Sequence, residues 1–186
     1  MRTSRVRIGG RTYPLHSLNT LVIGSGAAGL NAAVRLHEHG QADVAVVTSR
    51  LGAGASAESG SDKQTYYKLS LSGDRPDSAA EMARDLAAGG SAHGDIALAE
   101  AQGSLEAFFH LVALGVPFPH DRFGAYVGYK TDHDPRQRAT SAGPLTSRMM
   151  FEKLLAECRR RRVRVFDGHE AIALLAGGRG VRRRVL

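Results

Sequence analysis

Three glycines near the N-terminus have the spacing of a turn that binds phosphate groups. Gly24, Gly26 and Gly29 fit the pattern Gly-x-Gly-x-x-Gly. The first glycine permits a tight turn, the second lets a pyrophosphate approach the backbone, and the third lets a helix pack closely on a strand. The candidate phosphate-binding residues are therefore Gly24, Ser25, Gly26, Ala27, Ala28 and Gly29.

The segments on either side of this turn are those that a dinucleotide-binding site needs. Leu21 to Ile23 is a short apolar run, typical of a buried parallel strand. Apolar spacing from Leu30 to His39 predicts a helix that Gly40 ends, and Asp43 to Thr48 predicts a second strand. The N–H groups and the positive dipole end of the helix would then face the phosphates. The glycine pattern alone is weak evidence, but this context predicts a Rossmann-like βαβ unit.

The second predicted strand ends without the acidic residue that commonly binds ribose hydroxyls. Thr48, Ser49 and Arg50 stand there instead. A hydroxyl can still bond a ribose, and an arginine can bind a phosphate. These three residues are candidate contacts, and they leave open whether the dinucleotide is a flavin or a nicotinamide.

Composition favours a globular protein of a reducing compartment. The chain has 186 residues, of which 42% are hydrophobic, and Cys158 is the single cysteine. No apolar run is long enough to cross a membrane, so we predict a cytoplasmic protein without membrane insertion. The net charge of +7 raises nucleic acid as a partner. The arginine runs have no interleaved aromatic residues, so we favour a solvated charged face and no nucleic acid.

The rest of the chain predicts one α/β domain. A small hairpin is expected from Arg5 to Tyr13. Further along we expect helices over residues 77–88, 95–114 (capped by Asp95) and 146–160, a strand over 163–166, and a closing hairpin over 171–175 and 181–186. On the second helix, the predicted buried face consists of Leu98, Leu105, Phe109 and Val112. The predicted fold is a doubly wound parallel sheet with a small β-hairpin addition.

Two polar stretches each allow two interpretations. Residues 51–64 are small and polar, which fits either a flexible linker or backbone shaped around a ligand. His133 lies between Asp132 and Asp134, which could suggest a metal site. Three consecutive side chains cannot easily surround one ion, so we predict hydrogen bonding there and no metal.

The order of these motifs resembles the flavoprotein subunits of fumarate reductase and succinate dehydrogenase, together with L-aspartate oxidase. The matching parts are the glycine turn, the Ser/Gly-rich stretch from Ser56 to Lys63, Gly94-Asp95 at a helix start, Leu114 to Phe118 after that helix, and the late strand from Val163 to Phe166. The resemblance covers nearly the whole chain.

The resemblance implies FAD rather than NAD, and it implies where the parts of FAD bind. The glycine turn would hold the pyrophosphate, the end of the second strand the adenosine ribose, and backbone at Glu170 and Ala171 the adenine. The Ser/Gly-rich stretch would border the flavin. Its candidate contacts are Ser56, Ser59, Gly60, Ser61, Asp62 and Lys63, with the Lys63 ammonium stabilising the negative charge of reduced flavin.

The chain departs from the family pattern in two ways. Family members with covalently attached flavin carry a histidine in the Ser/Gly-rich stretch, and residues 51–64 contain none. We therefore predict non-covalent FAD. The usual Gly-Gly pair beside the flavin is Gly60-Ser61 here.

The resemblance also implies that family members continue past residue 186. The continuation would supply a Thr-Gly-Gly strand, a capping domain and the arginine that donates a proton in fumarate reduction. We therefore expect an N-terminal fragment with an arm over residues 1–20 and an incomplete FAD-binding domain over 21–186. The catalytic residues would lie beyond residue 186, so the fragment alone should bind FAD poorly and be inactive.

The leading hypothesis is an FAD-dependent oxidoreductase that transfers hydride between flavin N5 and a small acidic substrate, with an unidentified electron donor or acceptor. The first alternative is a non-catalytic dinucleotide-binding domain. A basic nucleic-acid-binding module is a weaker alternative.

Overall fold

The structure is a computed structural model. It describes residues 1–62, 64–73, 75–131, 134, 136–175 and 184–185. In chain order the elements are β1 (Arg2–Ile8), β2 (Arg11–Ser17), β3 (Thr20–Ile23), α1 (Ala27–Glu38), β4 (Val44–Thr48), α2 (Ala55–Glu58), β5 (Tyr66–Tyr67), α3 (Ala79–Ala88), α4 (Gly94–Ala113), β6 (Ala139–Thr140), α5 (Thr146–Arg160), β7 (Arg164–Asp167), β8 (Leu174–Leu175) and β9 (Arg184–Val185). The chain divides into two compact units, residues 1–58 with 154–186, and residues 59–153.

A parallel sheet forms the centre of the first unit and confirms the predicted α/β fold. Its order is β3-β4-β7, with Val22 beside Val46 and Val46 beside Val165. All five residues of β4 are buried, as expected for a middle strand. Helix α1 connects β3 to β4 and buries Leu30, Ala33 and Val34.

Two hairpins of the first unit match predictions in position but not in length. Strands β1 and β2 pair over seven residues each around Gly9-Gly10, so this hairpin is longer than predicted. Both glycines have positive φ angles, 55° and 81°, which suits a tight hairpin turn. Strands β8 and β9 pair over only two residues each, and the turn predicted at Gly177-Gly178 lies outside the described residues.

Helix α5 ends in a motif that the sequence analysis did not predict. The N–H of Arg162 donates to the carbonyl oxygen of Arg159, and the N–H of Val163 donates to that of Cys158. These two bonds form a Schellman motif, in which the residue after the helix adopts a left-handed conformation. Arg162 occupies that position with φ 58°. Glycine usually stands there, and its absence hid the motif from sequence reasoning.

The second unit packs α3 against α4 and joins two short strands. Met82 and Ala83 of α3 form a buried cluster with Ala97 and Ala101 of α4. Strands β5 and β6 pair antiparallel. Helix α3 begins two residues later than predicted because Ser78 caps it, accepting a hydrogen bond from the Glu81 N–H. Helix α4 is capped by His93, so the prediction that Asp95 is the N-cap was wrong.

The predicted buried face of α4 was also wrong, by one residue. The buried positions are Ala97, Ala101, Ser104, Phe108 and Leu111, whereas Leu98 and Phe109 are exposed. Small side chains at 97 and 101 allow α3 to approach closely, so this stripe faces the core although Ala97 and Ser104 are less apolar than the neighbouring Leu98 and Leu105.

Candidate cofactor-binding site

The glycine turn leaves β3 and enters α1 with a geometry that depends on two of its glycines. Gly24 has φ +102°, and its N–H donates to the Val47 carbonyl oxygen at 2.8 Å. A Cβ built on Gly29 would lie 2.1 Å from the Gly24 carbonyl oxygen. A side chain at Gly29 would therefore force α1 away from the strand.

Gly26, in contrast, leaves open space beside the backbone. A Cβ built there would meet only the Ser56 Oγ within 4 Å, at 3.4 Å. The residue has an ordinary extended conformation, with φ −69° and ψ 175°. No internal contact thus requires glycine here, whereas a ligand lying against the backbone would.

The N-terminus of α1 offers hydrogen-bond donors to an anion. Gly26 caps it without a side-chain hydrogen bond, and its first turn has no acidic residue. Ser56 Oγ accepts from the Ala27 N–H at 3.0 Å. Among the described residues, nothing accepts from the N–H groups of Ala28 and Gly29. Free amides at the positive end of a helix dipole fit a pyrophosphate.

A pair of buried hydroxyls joins the glycine turn to the end of β4. Ser25 Oγ donates to Thr48 Oγ1 at 2.9 Å, and both residues are buried. The Thr48 carbonyl oxygen accepts from the His169 N–H at 3.0 Å. The structure therefore uses the Thr48 hydroxyl inside the protein, while the neighbouring Ser49 and Arg50 are exposed.

The other predicted adenosine contacts lie at the same edge of the sheet. The Arg50 side chain is 74% exposed and pairs with Glu58 at 3.4 Å. Glu170 is exposed and Ala171 half-buried, and both follow β7. In open α/β sheets, ligands bind at the carboxyl ends of the parallel strands. The structure thus brings the glycine turn, Ser56, residues 48–50 and residues 170–171 into one unit.

Asp167 is a residue of this edge that sequence reasoning missed. It ends β7 beside Thr48 in the register. Its Oδ1 accepts from the N–H groups of Leu51 and Gly168, both at 2.8 Å. The carboxylate therefore holds the turn after β4 in place. Residues 48–50 at the end of β4 include no acidic residue, and Asp167 brings one to this turn from β7. Its place as the last residue of a parallel strand was the available signal.

The predicted flavin-facing segment belongs to the other unit. Ser59 is half-buried, Gly60, Ser61 and Asp62 are exposed, and Lys63 lies outside the described residues. The Ser61 N–H donates to the Pro144 carbonyl oxygen at 3.1 Å. Gln64 exchanges two hydrogen bonds with Ser147, in the first turn of α5. The segment is thus anchored rather than a free linker, and this anchoring was not predicted.

A buried ionic cluster in the second unit was also missed. Arg138 is fully buried, and its Nε and Nη2 donate to the two carboxylate oxygens of Asp77 at 2.8 and 2.7 Å. Its Nη1 donates to Asp85 at 2.6 Å and to the Tyr67 hydroxyl at 3.2 Å. Asp134 accepts from the backbone N–H groups of Arg136 and Arg138. His133, weighed above as a metal ligand, lies outside the described residues.

Comparisons with known proteins support the fold described above. A sequence model of the family described as FAD binding domain matches residues 19–186. Sdh1 of Mycobacterium smegmatis, solved in complex with UQ1, is 23% identical with a TM-score of 0.69, over 82% of this chain and 28% of that one. Quinol fumarate reductase FrdA of E. coli is 19% identical with a TM-score of 0.68, over 86% and 27%.

A third similar solved structure is an enzyme named for a ketosteroid. The 3-ketosteroid-delta4-(5alpha)-dehydrogenase of Rhodococcus jostii, in complex with 4-androstene-3,17-dione, is 21% identical with a TM-score of 0.61, over 85% of this chain and 39% of that one. The chain therefore spans between about a quarter and two fifths of the length of these structures. The search of curated proteins found no match. Within the described part of the chain, no helix combines the length and apolar character needed to cross a membrane.

Proposed function

Because the chain belongs to the FAD binding domain family, we propose that its first unit holds the adenosine diphosphate part of FAD at the carboxyl ends of β3, β4 and β7. The observation that carries this proposal is the start of α1. Gly26 leaves the backbone open there, and the amides of Ala28 and Gly29 have no acceptor among the described residues. A pyrophosphate would satisfy these donors.

The surrounding residues would fix the shape of that site. The Ser25–Thr48 hydrogen bond holds the turn against β4, and Ser56 holds the first amide of α1. Exposed Ser49 and Arg50 would meet the ribose, and Glu170 and Ala171 would meet the adenine. We further propose that the FAD is non-covalent, since residues 51–64 contain no histidine.

The proposed activity is that of an oxidoreductase acting on a small acidic substrate. Bound FAD supplies a redox group that takes up or gives hydride at flavin N5. The likeness to a fumarate reductase supports an acidic substrate, and the likeness to a ketosteroid dehydrogenase makes an apolar ketone the second candidate. We propose that these 186 residues bind FAD weakly and do not reduce fumarate alone.

Competition among flavin compounds tests the binding proposal. The chain is titrated with FAD, followed by flavin fluorescence, and then with FMN and ADP. We expect ADP to displace FAD and FMN to bind much more weakly, because the residues of this site would contact phosphates and adenosine. FMN binding as tightly as FAD, or no displacement by ADP, would contradict the proposal.

Turnover assays address the activity. Reduction of fumarate and oxidation of a 3-ketosteroid are each measured with an artificial electron carrier. We expect neither reaction from the 186 residues, and efficient turnover of fumarate would show that the catalytic groups lie within them. In a longer protein containing this chain, activity on fumarate but not on the ketosteroid would support the acidic substrate.

A further inference from the structure

A basic pocket of about 390 Å³ lies within the second unit, residues 59–153. Its wall comes from two loops and from helix α3. Its polar and charged lining residues are Ser72, Arg75, Glu81, Lys130, Arg136 and Gln137. Three of these side chains are cations and one is a carboxylate. The volume is within the range of small-molecule sites.

One cation of the wall is held rigidly. Arg136 donates from Nε and Nη2 to the same Glu81 oxygen, at 3.0 and 2.6 Å. The Arg136 side chain is 17% exposed, so its rotamer freedom is already restricted. Glu81 occupies the Nε and Nη2 edge of the guanidinium, so a bound oxyanion would accept from Nη1 of this fixed side chain.

The other two cations keep their charge available. Arg75 and Lys130 are exposed, and within the described part of the chain neither has an ion-pair partner. Among the described residues of the pocket wall, Glu81 is the only carboxylate, and it already forms an ion pair with Arg136. Cations that face one cavity repel each other, so a bound anion would relieve this repulsion.

The two loops of the wall are anchored on the buried Arg138 cluster. Asp77 holds the first loop, because it accepts from the Ser70 N–H while bonded to Arg138. Asp134 holds the second through the N–H groups of Arg136 and Arg138. Ser72 Oγ then joins the loops by a 3.2 Å hydrogen bond to Gln137 Oε1. The pocket is thus preorganised, which lowers the entropic cost of binding.

We propose that this pocket binds a small oxyanion with at least two negative charges, a phosphate compound or a dicarboxylate. The shared chemistry is two anionic oxygen groups that meet Arg136 together with Arg75 and Lys130. A single charge would neutralise only part of the wall. The proposal uses side chains of the second unit alone and does not depend on how FAD binds in the first.

Calorimetric titration of the full chain tests this site. The probes are inorganic pyrophosphate and succinate, titrated at equal ionic strength so that screening does not differ. We expect saturable binding of at least one probe, and the tighter probe assigns phosphate or carboxylate chemistry. Loss of one charge-assisted contact should weaken binding about tenfold, so Arg75→Gln and Lys130→Met should each show this loss.

Two controls separate the pocket from other sources of binding. Arg84→Gln removes an exposed arginine of α3 that does not line the pocket, and should leave affinity within about twofold, as for a distant screened charge. Gly26→Val alters the glycine turn, the other place where pyrophosphate could bind, so the titration is repeated in this variant. Pyrophosphate binding that survives there, and that weakens when Arg75→Gln is added, belongs to the pocket. Circular dichroism checks that each variant is folded.

Three outcomes would overturn the proposal. If neither probe binds saturably, other groups of the chain must already neutralise the positive charge of the pocket wall. Equal losses in Arg84→Gln and Arg75→Gln would mean that binding follows general basicity. Loss of pyrophosphate binding in Gly26→Val, with none in Arg75→Gln, would place the anion at the glycine turn.

Discussion

Ser25 Oγ and Thr48 Oγ1 form a 2.9 Å hydrogen bond in the buried part of the first unit. The bond joins residues 23 positions apart, one in the glycine turn and one at the end of β4. The proposed pyrophosphate and ribose contacts are therefore mechanically connected, so the geometry of one depends on the other.

Removing either hydroxyl should lower both stability and FAD affinity. Ser25→Ala leaves the buried Thr48 hydroxyl without this partner, which costs about 1–3 kcal/mol. Thr48→Val should have a similar cost, while the double variant should be no less stable than either single one. Urea unfolding of all four proteins measures this coupling. Additive losses would mean that the two hydroxyls act independently.

Gly26→Val should abolish FAD binding and leave the fold intact. The structure has room for the side chain apart from the Ser56 contact at 3.4 Å, but a pyrophosphate would need the same space. The matched control is Gly103→Val, because a Cβ there meets nothing within 4 Å. Flavin fluorescence titration and circular dichroism compare the two variants. Equal FAD affinity in both would show that the turn has only a structural role.

Any FAD bound to the chain should be released by acid. The basis is the absence of histidine between residues 51 and 64. After precipitation with acid, all flavin absorbance should appear in the supernatant. Flavin that remains with the precipitated protein would demonstrate a covalent bond and contradict the proposal.

Asp77 should make the protein sensitive to acid. Burial raises the pKa of Asp77, but hydrogen bonds from Arg138 and from the Ser70 and Ser78 N–H groups outweigh burial and hold it below the usual 3.8. A carboxyl with a lowered folded pKa stabilises the protein above its unfolded pKa, and this contribution is lost as pH falls through the folded value. We therefore expect stability to decrease as the pH falls below about 3.8.

Asp77→Asn tests this origin of the acid sensitivity. Breaking a buried ion pair should cost about 3–5 kcal/mol at neutral pH, and the loss of stability below pH 3.8 should become smaller. Glu152→Gln, an exposed position of α5, serves as the control and should change neither. Denaturant unfolding at several pH values measures both effects. An unchanged pH profile in Asp77→Asn would assign the acid sensitivity to other carboxyls.

Arg162→Gly should stabilise the protein. The residue has φ 58° in the Schellman motif after α5, and a non-glycine residue there costs on the order of 1 kcal/mol. The greater freedom of glycine in the unfolded chain offsets part of this gain. Thermal unfolding should show a higher Tm, with Arg159→Gly inside the helix as a destabilising comparison. A lower Tm for Arg162→Gly would mean that the arginine side chain contributes more than the strain costs.

The sequence was sufficient for features that depend on local pattern. The glycine spacing, the apolar runs of β3 and β4 and the stop at Gly40 predicted the βαβ unit, because each is a local steric or hydrophobic requirement. The end of α5 was placed correctly at Arg160. The buried face of α4 was not predicted correctly, because Leu98 is a larger apolar residue than Ala97, while close packing against α3 selected the smaller side chains at 97 and 101.

The sequence was insufficient for features that depend on distant partners. Arg138 meets Asp77 from 61 positions away and Asp85 from 53, so no local spacing announces the cluster. Gln64 and Ser147 are 83 positions apart. Asp167 reaches Leu51 across 116 positions. These contacts depend on the topology of the fold, and local patterns in a single sequence do not reveal that topology.

Cys158 offers a way to follow motion in the first unit. Its thiol is buried near the Leu30 carbonyl oxygen, and burial raises the pKa of Cys158 to about 11. Because it is the single cysteine of the chain, a thiol reagent reads one position only. The rate of labelling then reports how often the end of α5 separates from α1, so the free energy of that local opening can be measured without introducing a probe.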